Sequence, residues 1–365
     1  MNNSNQCFSN SVIQFIDAAL DGHDVDTVLG PLESVAPFKD VNINSTDSFE
    51  PQKKRGARKG GKKPESAMSR VRTAVHNGID KVRSSGKLQA LSPRKHLRAL
   101  LHRVRQYKSK AQSEKVNGYV FQQILAYGEG DGSREHLDGR EQEDCYEYFD
   151  ALLGGIKYNS GEDPEDEDYE QRPAIISSLF EHKTETASVC SNESCDHKGD
   201  SVQEETNSAH TINAPKKPAT FEDLLEESNV SQLDQPCPKC GQTLARVTEF
   251  KELADNFVVH VNRVGPNQRT KIKTAIELPF EPIELGGKKF VLNAIITHRG
   301  ASVQAGHYTI YRKRSRDWET SVHGNSSWYH IDDEEVSSIG AKNIKDSGRY
   351  GQSSMLLFKA LETMS

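Results

Sequence analysis

Apolar positions near the start of the chain recur every three or four residues. The recurring positions are Phe8, Val12, Phe15 and Ala19. This spacing puts them on one face of a helix and predicts a helix over residues 7–20. Asn5 or Ser9 is a candidate N-cap for this helix, and Gly22 marks its end.

The same period predicts further helices in the first half of the chain. They are expected over residues 66–84, 92–111, 116–127 and 141–156. From about residue 175 onward the pattern changes to short β-rich runs, at residues 258–261, 290–296, 307–312 and 355–358. Gly286-Gly287 and Gly324-Asn325 are turn signals between such runs. A helical half followed by an antiparallel half predicts an α+β fold rather than an alternating α/β fold.

Composition narrows the class of protein. The 365 residues are 34% hydrophobic, and the mean hydropathy is -0.73. No apolar run reaches the roughly 18 residues of a transmembrane helix, so no membrane contact is expected. The first 21 residues lack a basic region followed by an apolar stretch, so no secretory signal is expected. Six cysteines are too few for a disulfide scaffold, which points to a reducing compartment.

Charge is distributed unevenly along the chain. The stretch from Lys53 to Lys115 holds 20 Lys/Arg against three acids, while the remainder holds 27 against 50. A stretch of +17 therefore lies within a body of -23. Residues 38–68 lack periodicity and are predicted to be a flexible charged segment. Residues 162–170 hold seven carboxylates and are predicted to be an exposed loop.

Cys7 is the first candidate for chemistry. A cysteine at a helix N-terminus lies near unpaired backbone N–H groups and the positive end of the helix dipole, which favour the thiolate. The side-chain amide of Asn2 could donate to an oxyanion that forms beside the sulfur. The alternative at this point is a buried structural cysteine.

His307 and Asp332 form the second candidate. His307 starts one β-rich run, and Asp332 and Asp333 end the neighbouring segment from Trp328. In such an arrangement the imidazole acts as a base while the carboxylate fixes its tautomer. With 13 histidines in the chain, a surface role for His307 is the alternative.

Four cysteines have the spacing of a metal site. Cys237 and Cys240 form a CxxC knuckle followed by a glycine, and Cys190 and Cys195 form a pair with four residues between them. Two such pairs can close one tetrahedral four-thiolate zinc site. His197 is a possible substitute for Cys195, and four free surface cysteines are the alternative.

Five sequence blocks, taken in order, resemble the ubiquitin-specific proteases, a family of papain-like deubiquitinating cysteine proteases. The first is a cysteine box matched by Asn2, Cys7, Asn10, Ser11 and Gln14. The others are residues 142–149, residues 257–263, a histidine box formed by residues 306–308 and 328–333, and residues 354–358. Together they span residues 2–358, nearly the whole chain.

The resemblance implies a role for each site residue. Cys7 would be the nucleophile, His307 its general base and Asp332 the residue that orients His307. Asp333 would be a second acid, and Asn2 would supply the oxyanion donor. No catalytic cofactor is implied. Cys145 stands at the family's alanine position and is interpreted as small core packing.

The resemblance also implies an architecture. It is a single catalytic domain, with a helical thumb over residues 1–174, fingers and part of an antiparallel β palm over 175–298, and the rest of the palm over 299–365. The four-cysteine zinc site would hold the tip of the fingers. The basic insert, about residues 40–115, lies within the thumb.

The implied activity is thiol-dependent hydrolysis of the bond after the C-terminal glycine of ubiquitin, with ubiquitin and ubiquitinated proteins as partners. The acidic body suits the basic tail of ubiquitin. The alternatives are a protease for another ubiquitin-like modifier, a catalytically weak ubiquitin-binding scaffold, and a chromatin- or RNA-associated module.

Lys53 to Lys63 holds seven Lys/Arg in eleven residues without an aromatic residue. It is interpreted as a nuclear import signal, a polyanion contact or a solvated insertion. The expected location is the cytoplasm, the nucleus or both.

Overall fold

The computed structural model describes most of the second half of the chain and parts of the first. The described residues are 7–29, 97–98, 101, 125–126, 134–138, 143–157, 171–192, 194–195, 197, 202–267, 270–302, 305–313, 327–333, 335–347 and 352–361.

Six α-helices and one 3-10 turn, Glu135–Asp138, have defined bounds in these ranges, and residues 97–98, 101 and 125–126 are also helical. The helices are α1 Cys7–Ala19, α2 Val25–Leu29, α3 Cys145–Lys157, α4 Gln171–Phe180, α5 Phe221–Asn229 and α6 Ala341–Ser347. The strands of the first part are β1 His182–Cys190, β2 Gln203–Asn207, β3 His210–Asn213, β4 Ala219–Thr220, β5 Val230–Pro236, β6 Thr243–Glu252 and β7 Asn256–Asn262. Those of the second part are β8 Ile276–Glu277, β9 Ile283–Leu285, β10 Lys288–Gly300, β11 Gly306–Lys313, β12 Ser327–Asp332, β13 Glu335–Gly340 and β14 Ser353–Ala360.

Eight strands form one large sheet, which we call the palm sheet. Its order is β13-β12-β11-β10-β14-β7-β3, and β9 pairs with the start of β10. The pairs are antiparallel except that β3 runs parallel to β7. Gly286 and Gly287 make the turn from β9 to β10 with positive φ angles of 54° and 77°, a conformation that suits glycine.

Both faces of the central palm strands are buried, and alternate residues of each of these strands pack on opposite faces. On β10 and β11, Ala294, Ile296 and Ile310 pack in a cluster with α1, α3 and α4. Ile295 and Tyr311 pack on the other side in a cluster with α5 and α6. Burial on both faces explains why these strands read as nearly continuous apolar runs.

A separate four-stranded sheet, which we call the fingers sheet, has the order β2-β1-β6-β5. β2 has only exposed positions, and β5 has one position that is partly buried. Its small apolar cluster lies at one end, where Cys190 and Cys237 pack with Leu244. At the other end of the sheet, His182 and Phe250 pack against Phe257 of the palm sheet.

Most predicted elements inside the described residues are confirmed. α1 begins at Cys7 as expected, α3 covers most of the helix predicted over 141–156, and all four β-rich runs are strands. The α+β fold class is confirmed. The helix expected over 66–84, most of those over 92–111 and 116–127, and the acidic run 162–170 lie outside the described residues; Leu97 and Leu101 are helical and buried.

One expectation was wrong in detail. Ser9 is not an N-cap, because α1 begins two residues earlier and Ser9 is buried inside the helix. The second half also contains two helices, α5 and α6, which were not predicted. The Thr220 hydroxyl and the Asp223 side chain form a reciprocal capping box that starts α5.

No helix within the described ranges is long and apolar enough to cross a membrane.

Candidate active site

Cys7 is the first residue of α1 and is almost fully buried. The helix is held on α3 by two edge-on aromatic contacts, one between Phe8 and Tyr148 at 5.5 Å and one between Phe15 and Phe149 at 5.9 Å. Phe8 and Phe15 belong to the apolar stripe of the sequence. The stripe therefore fixes which way the start of the helix, and with it the sulfur, faces.

His307 is the second residue of β11, and Asp332 is the last residue of β12. These strands are antiparallel neighbours, paired from Ile310–Ile331 to Lys313–Trp328. The start of one strand therefore meets the end of the other. His307 Nε2 donates to Asp332 Oδ1 over 2.6 Å, which leaves Nδ1 as the ring atom for the sulfur.

The protonated form of His307 is strongly favoured. A hydrogen bond with Cys7 is the largest influence and raises the pKa of the imidazole, the hydrogen bond and charge of Asp332 raise it further, and burial opposes them. The resulting pKa is about 9. At neutral pH the charged form of the ring is therefore favoured, with the Asp332 carboxylate beside it to balance the charge.

Asp333 follows β12 in a left-handed conformation with φ 52°, which aspartate tolerates better than most residues. The turn places its carboxylate close to both His307 and Asn10. One oxygen lies 3.9 Å from His307 Nε2, and the other accepts from Asn10 Nδ2 over 3.4 Å. Asp333 therefore links β12 to the first turns of α1.

The chain segment before His307 is tightly packed. Gly306 pairs with Gly300 across β10 and β11. A Cβ atom on Gly306 would collide with His298 Nε2 and the Arg299 carbonyl oxygen, and one on Gly300 would collide with the Ala305 carbonyl oxygen. Because neither glycine has a side chain, β10 and β11 can approach each other closely where β11 begins, beside the candidate site.

The structure brings Cys7, His307, Asp332 and Asp333 together, while Asn2 lies outside the described residues. Sequence reasoning assigned Asn10 no role, although Asn10 is one of the matched positions of the cysteine box. The signal was its spacing: three residues after Cys7, it projects one helical turn further along α1.

A second histidine–carboxylate contact ties α3 to the palm sheet. Asp144 Oδ1 accepts from the Tyr146 N–H over 2.8 Å, so it caps α3, and its other oxygen lies 3.7 Å from His260 Nε2. The Tyr146 ring stacks on His260 at 4.4 Å. Burial tends to raise the pKa of Asp144, but His260 and the Tyr146 N–H hold it below its usual value.

The four cysteines predicted as metal ligands meet at the end of the fingers sheet. Their sulfur atoms all lie within 4.8 Å of one another, with Cys190 and Cys240 at 3.4 Å and Cys195 and Cys237 at 3.8 Å. Tetrahedral zinc with bonds of about 2.3 Å places sulfurs about 3.8 Å apart. Gly241 has φ 72° and completes the turn after the knuckle. The donor set and its spacing fit one structural zinc ion.

His197 does not replace Cys195. Among the described residues, the group that could hold a metal at this end contains the four cysteines and no histidine. Cys145 is completely buried in the core beside α1, and burial raises the pKa of its thiol well above the usual value. This agrees with its interpretation as core packing.

Comparison with known proteins gives matches in both sequence and structure. The chain is 30% identical over 129 residues to ubiquitin carboxyl-terminal hydrolase 9 of Arabidopsis thaliana, a segment that covers 31% of this chain and 13% of that relative. It is 25% identical over 142 residues to ubiquitin carboxyl-terminal hydrolase 15 of Rattus norvegicus, covering 35% and 14%. The chain thus matches only a small part of the length of these relatives.

Two solved structures share the fold. The SAGA deubiquitinating module Ubp8/Sgf11/Sus1/Sgf73 bound to ubiquitin aldehyde matches with a TM-score of 0.58 and 16% identity, over 99% of this chain and 69% of the other. The module bound to monoubiquitin matches with a TM-score of 0.57 and 17% identity, over 79% and 64%. The family model described as ubiquitin carboxyl-terminal hydrolase matches residues 1–358, nearly the entire sequence. The chain belongs to the ubiquitin carboxyl-terminal hydrolase family.

Proposed function

We propose that this protein is a deubiquitinase that hydrolyses the bond after the C-terminal glycine of ubiquitin through a cysteine nucleophile. The observation that carries the proposal is the position of His307, whose Nε2 is hydrogen-bonded to Asp332 at 2.6 Å and whose ring interacts electrostatically with Cys7. A nucleophile, a base and a group that orients the base are the minimum set for covalent acyl transfer.

Each residue has a defined task in this proposal. The Cys7 thiolate attacks the glycine carbonyl carbon, and the imidazolium of His307 gives its proton to the leaving amine. The neutral imidazole then takes a proton from water, whose oxygen displaces the sulfur and releases the carboxylate of ubiquitin. Asp332 holds the ring in the tautomer that both steps need.

The developing oxyanion needs donors close to Cys7. The first N–H groups of a helix have no partner within the helix, so the start of α1 can supply them. Asn2 is proposed as the side-chain donor on the basis of the cysteine box alone. Asp333 is proposed as a second acid, because it lies within 4 Å of the imidazole and also holds Asn10.

Ubiquitin is proposed as the substrate because of the family to which the chain belongs and because the two similar structures contain monoubiquitin or ubiquitin aldehyde. The main competing substrate is another ubiquitin-like modifier. A ubiquitin-binding scaffold without activity is the competing class, and the assembled Cys7–His307–Asp332 set argues against it.

One assay separates these functions. Purified protein is incubated with ubiquitin that carries a fluorophore amide at its C-terminus, and in parallel with the same conjugate of other modifiers. Release of the fluorophore from ubiquitin alone supports the proposal. Release only from another modifier would show that this modifier, and not ubiquitin, is the substrate. Binding of ubiquitin without release by the folded protein indicates the scaffold.

A structural zinc ion bound by Cys190, Cys195, Cys237 and Cys240 is part of the proposal. Bound there, zinc would join β1 to the turn after β5 and so stabilise the outer end of the fingers sheet. Location in the cytoplasm or nucleus, and polyanion contact through Lys53–Lys63, are proposals that rest on the sequence alone.

A further inference from the structure

The C-terminal end of α1 lies against three neighbouring palm strands, and each strand supplies a buried donor to it. The three donors, which we call the α1 clamp, are Asn293 on β10, Arg312 on β11 and Lys359 on β14. Asn293 Nδ2 donates to the Ala18 carbonyl oxygen over 3.2 Å. Lys359 Nζ donates to the carbonyl oxygens of Ala19 and Asp21 over 3.2 and 2.5 Å.

Arg312 makes the largest share of the contacts. Its Nη1 lies 2.5 Å from Asp17 Oδ2 and also donates to the Gln14 carbonyl and side-chain oxygens over 3.1 and 3.2 Å. Its Nη2 donates to Asp21 Oδ2 over 3.1 Å. The Arg312 side chain is 2% exposed and that of Asp17 is 0% exposed, so these charges are removed from water. Burial alone would lower the pKa of Arg312, but Asp17 and Asp21 raise it.

The clamp supplies a charge that the helix lacks. α1 is described throughout, and its last turn contains no basic residue. The final carbonyls of a helix have no partner within the helix and carry the negative end of its dipole. Lys359 and Arg312 bring positive charge to that end from the sheet.

α1 and β11 contact the clamp at one end and hold the candidate catalytic residues at the other. α1 starts at Cys7 and is about 20 Å long, and β11 carries both His307 and Arg312. Apolar packing against α3 resists separation of the helix from the core but is not directional. Directional hydrogen bonds at the far end fix the position of the helix along its axis.

We propose that Asn293, Arg312 and Lys359 are positioning residues for the reaction, because they fix α1 against the palm sheet so that Cys7 meets His307. This inference rests on the Cys7–His307 chemistry proposed above. Displacement of a reacting group by about 1 Å can reduce a rate about 100-fold. Loss of a single hydrogen bond in the α1 clamp should therefore lower the rate of catalysis while the protein still folds.

The chain offers a matched pair of variants to test this. Asn293→Ala removes a buried donor to the last turn of α1. Asn256→Ala removes an equally buried donor on β7, whose Nδ2 bonds the Leu179 carbonyl oxygen in the last turn of α4 over 3.0 Å. Both substitutions cost one strand-to-helix hydrogen bond, but only the first involves the helix that bears Cys7.

Arg312→Lys is the second variant. It keeps a buried positive charge opposite Asp17, so it avoids the unpaired carboxylate that an apolar substitution would leave. A single ammonium cannot reproduce the fork that reaches Gln14, Asp17 and Asp21 together. The melting temperature of each variant is measured to confirm that it folds.

Two readouts distinguish positioning from general stability. The first is kcat and KM for the fluorogenic ubiquitin substrate, where Asn293→Ala and Arg312→Lys should lower kcat about 10-fold or more with KM nearly unchanged. The second is the titration of the His307 ring by NMR, assigned with His307→Gln. The charged or titratable groups that face this ring are Cys7 from α1, Asp332 and Asp333 at the end of β12, and His298 from β10.

In the wild type the His307 titration should have its midpoint near the pKa of about 9. Clamp variants should shift it towards 6.5 by a unit or more, because the contact with Cys7 is the largest influence on it, and Asn256→Ala should not. Equal effects of both asparagine variants, or an unmoved His307 midpoint in the clamp variants, would overturn the proposal. If the wild type does not hydrolyse the substrate, the proposed function fails, and the NMR titration still decides the clamp.

Discussion

At the scale of single residues, the properties of His307 come from its neighbours. Asp332 fixes one ring nitrogen, Cys7 contacts the ring from α1, and Asp333 approaches from the turn after β12. Two carboxylates near one imidazole favour its charged form. Because two carboxylates share this role, removal of either one should reduce activity less than in a site with a single carboxylate.

Asp332→Asn should lower kcat/KM by about 10- to 1000-fold. The amide keeps the size of the side chain but cannot compensate the imidazolium, and Asp333 at 3.9 Å replaces part of its charge. Steady-state hydrolysis of the fluorogenic substrate measures the effect, with Asp255→Asn on the exposed turn after β6 as the control. Unchanged kinetics for Asp332→Asn would remove this residue from the mechanism.

The stability of the protein should depend on pH through His307. Its pKa is raised from 6.5 to about 9 on folding, so the folded state binds the proton more tightly than the unfolded state. The stabilising contribution is complete below 6.5 and is lost as the pH rises through about 9. Urea unfolding of wild type and His307→Gln should therefore show a difference at about pH 6 that shrinks by about pH 10. A difference that grows with pH would contradict the assigned ion pair.

The sequence pointed to those candidate site residues whose flanking residues form a recognisable pattern. Cys7 begins an apolar helix, and His307 and Asp332 stand at the ends of two β-rich segments. Contacts between distant residues that belong to none of these patterns could not be predicted. Asn10 and Asp333 are 323 positions apart, and Asp17 and Arg312 are 295 apart. Such pairs depend on the tertiary arrangement, which no local period encodes.

At the scale of elements, strands buried on both faces were the easiest to predict, because β10 and β14 are almost entirely apolar in their central parts. α4 and α5 were missed. α5 is short, but Phe221, Leu224 and Leu225 have helical spacing, and its capping box from Thr220 to Asp223 was a second available signal. α4 has weak amphipathic character because apolar residues lie around much of its circumference.

The fingers sheet should contain one zinc ion for each chain, and Cys237→Ser should abolish its binding. Loss of the ion should loosen the end of the sheet and raise KM for ubiquitin substrates more than it lowers kcat, because the cysteines lie away from the site. Elemental analysis of protein purified without chelator gives the zinc content. Cys145→Ala is the control, since this buried cysteine lies in the other cluster. Protein that is folded, active and free of zinc would contradict the assignment.

At the scale of the whole molecule, the sequence predicted the α+β class and the order of its parts. It could not predict how the fingers sheet and palm sheet divide the second half, because both read as similar short strands. The boundaries at 174 and 298 and the role of the basic stretch stay predictions.

Deletion of residues 52–64 should leave hydrolysis of the small fluorogenic substrate largely intact, since no proposed catalytic group lies there. If the segment contacts nucleic acid, that binding should weaken steeply with added salt, because phosphate contacts release counterions. Activity and salt-dependent binding are measured on the full chain and the deletion variant. Unfolding of the variant would show that the segment is structural.

The proposed role of Cys7 as the nucleophile of a ubiquitin hydrolase can be tested by direct labelling. Ubiquitin with an electrophilic group at its C-terminus is added to the protein, and the product is analysed by mass spectrometry. We expect one covalent ubiquitin for each chain, attached to the peptide that contains Cys7, and no adduct with folded Cys7→Ala. Attachment to another cysteine, persistence of the adduct in Cys7→Ala, or no adduct with folded wild type would contradict it.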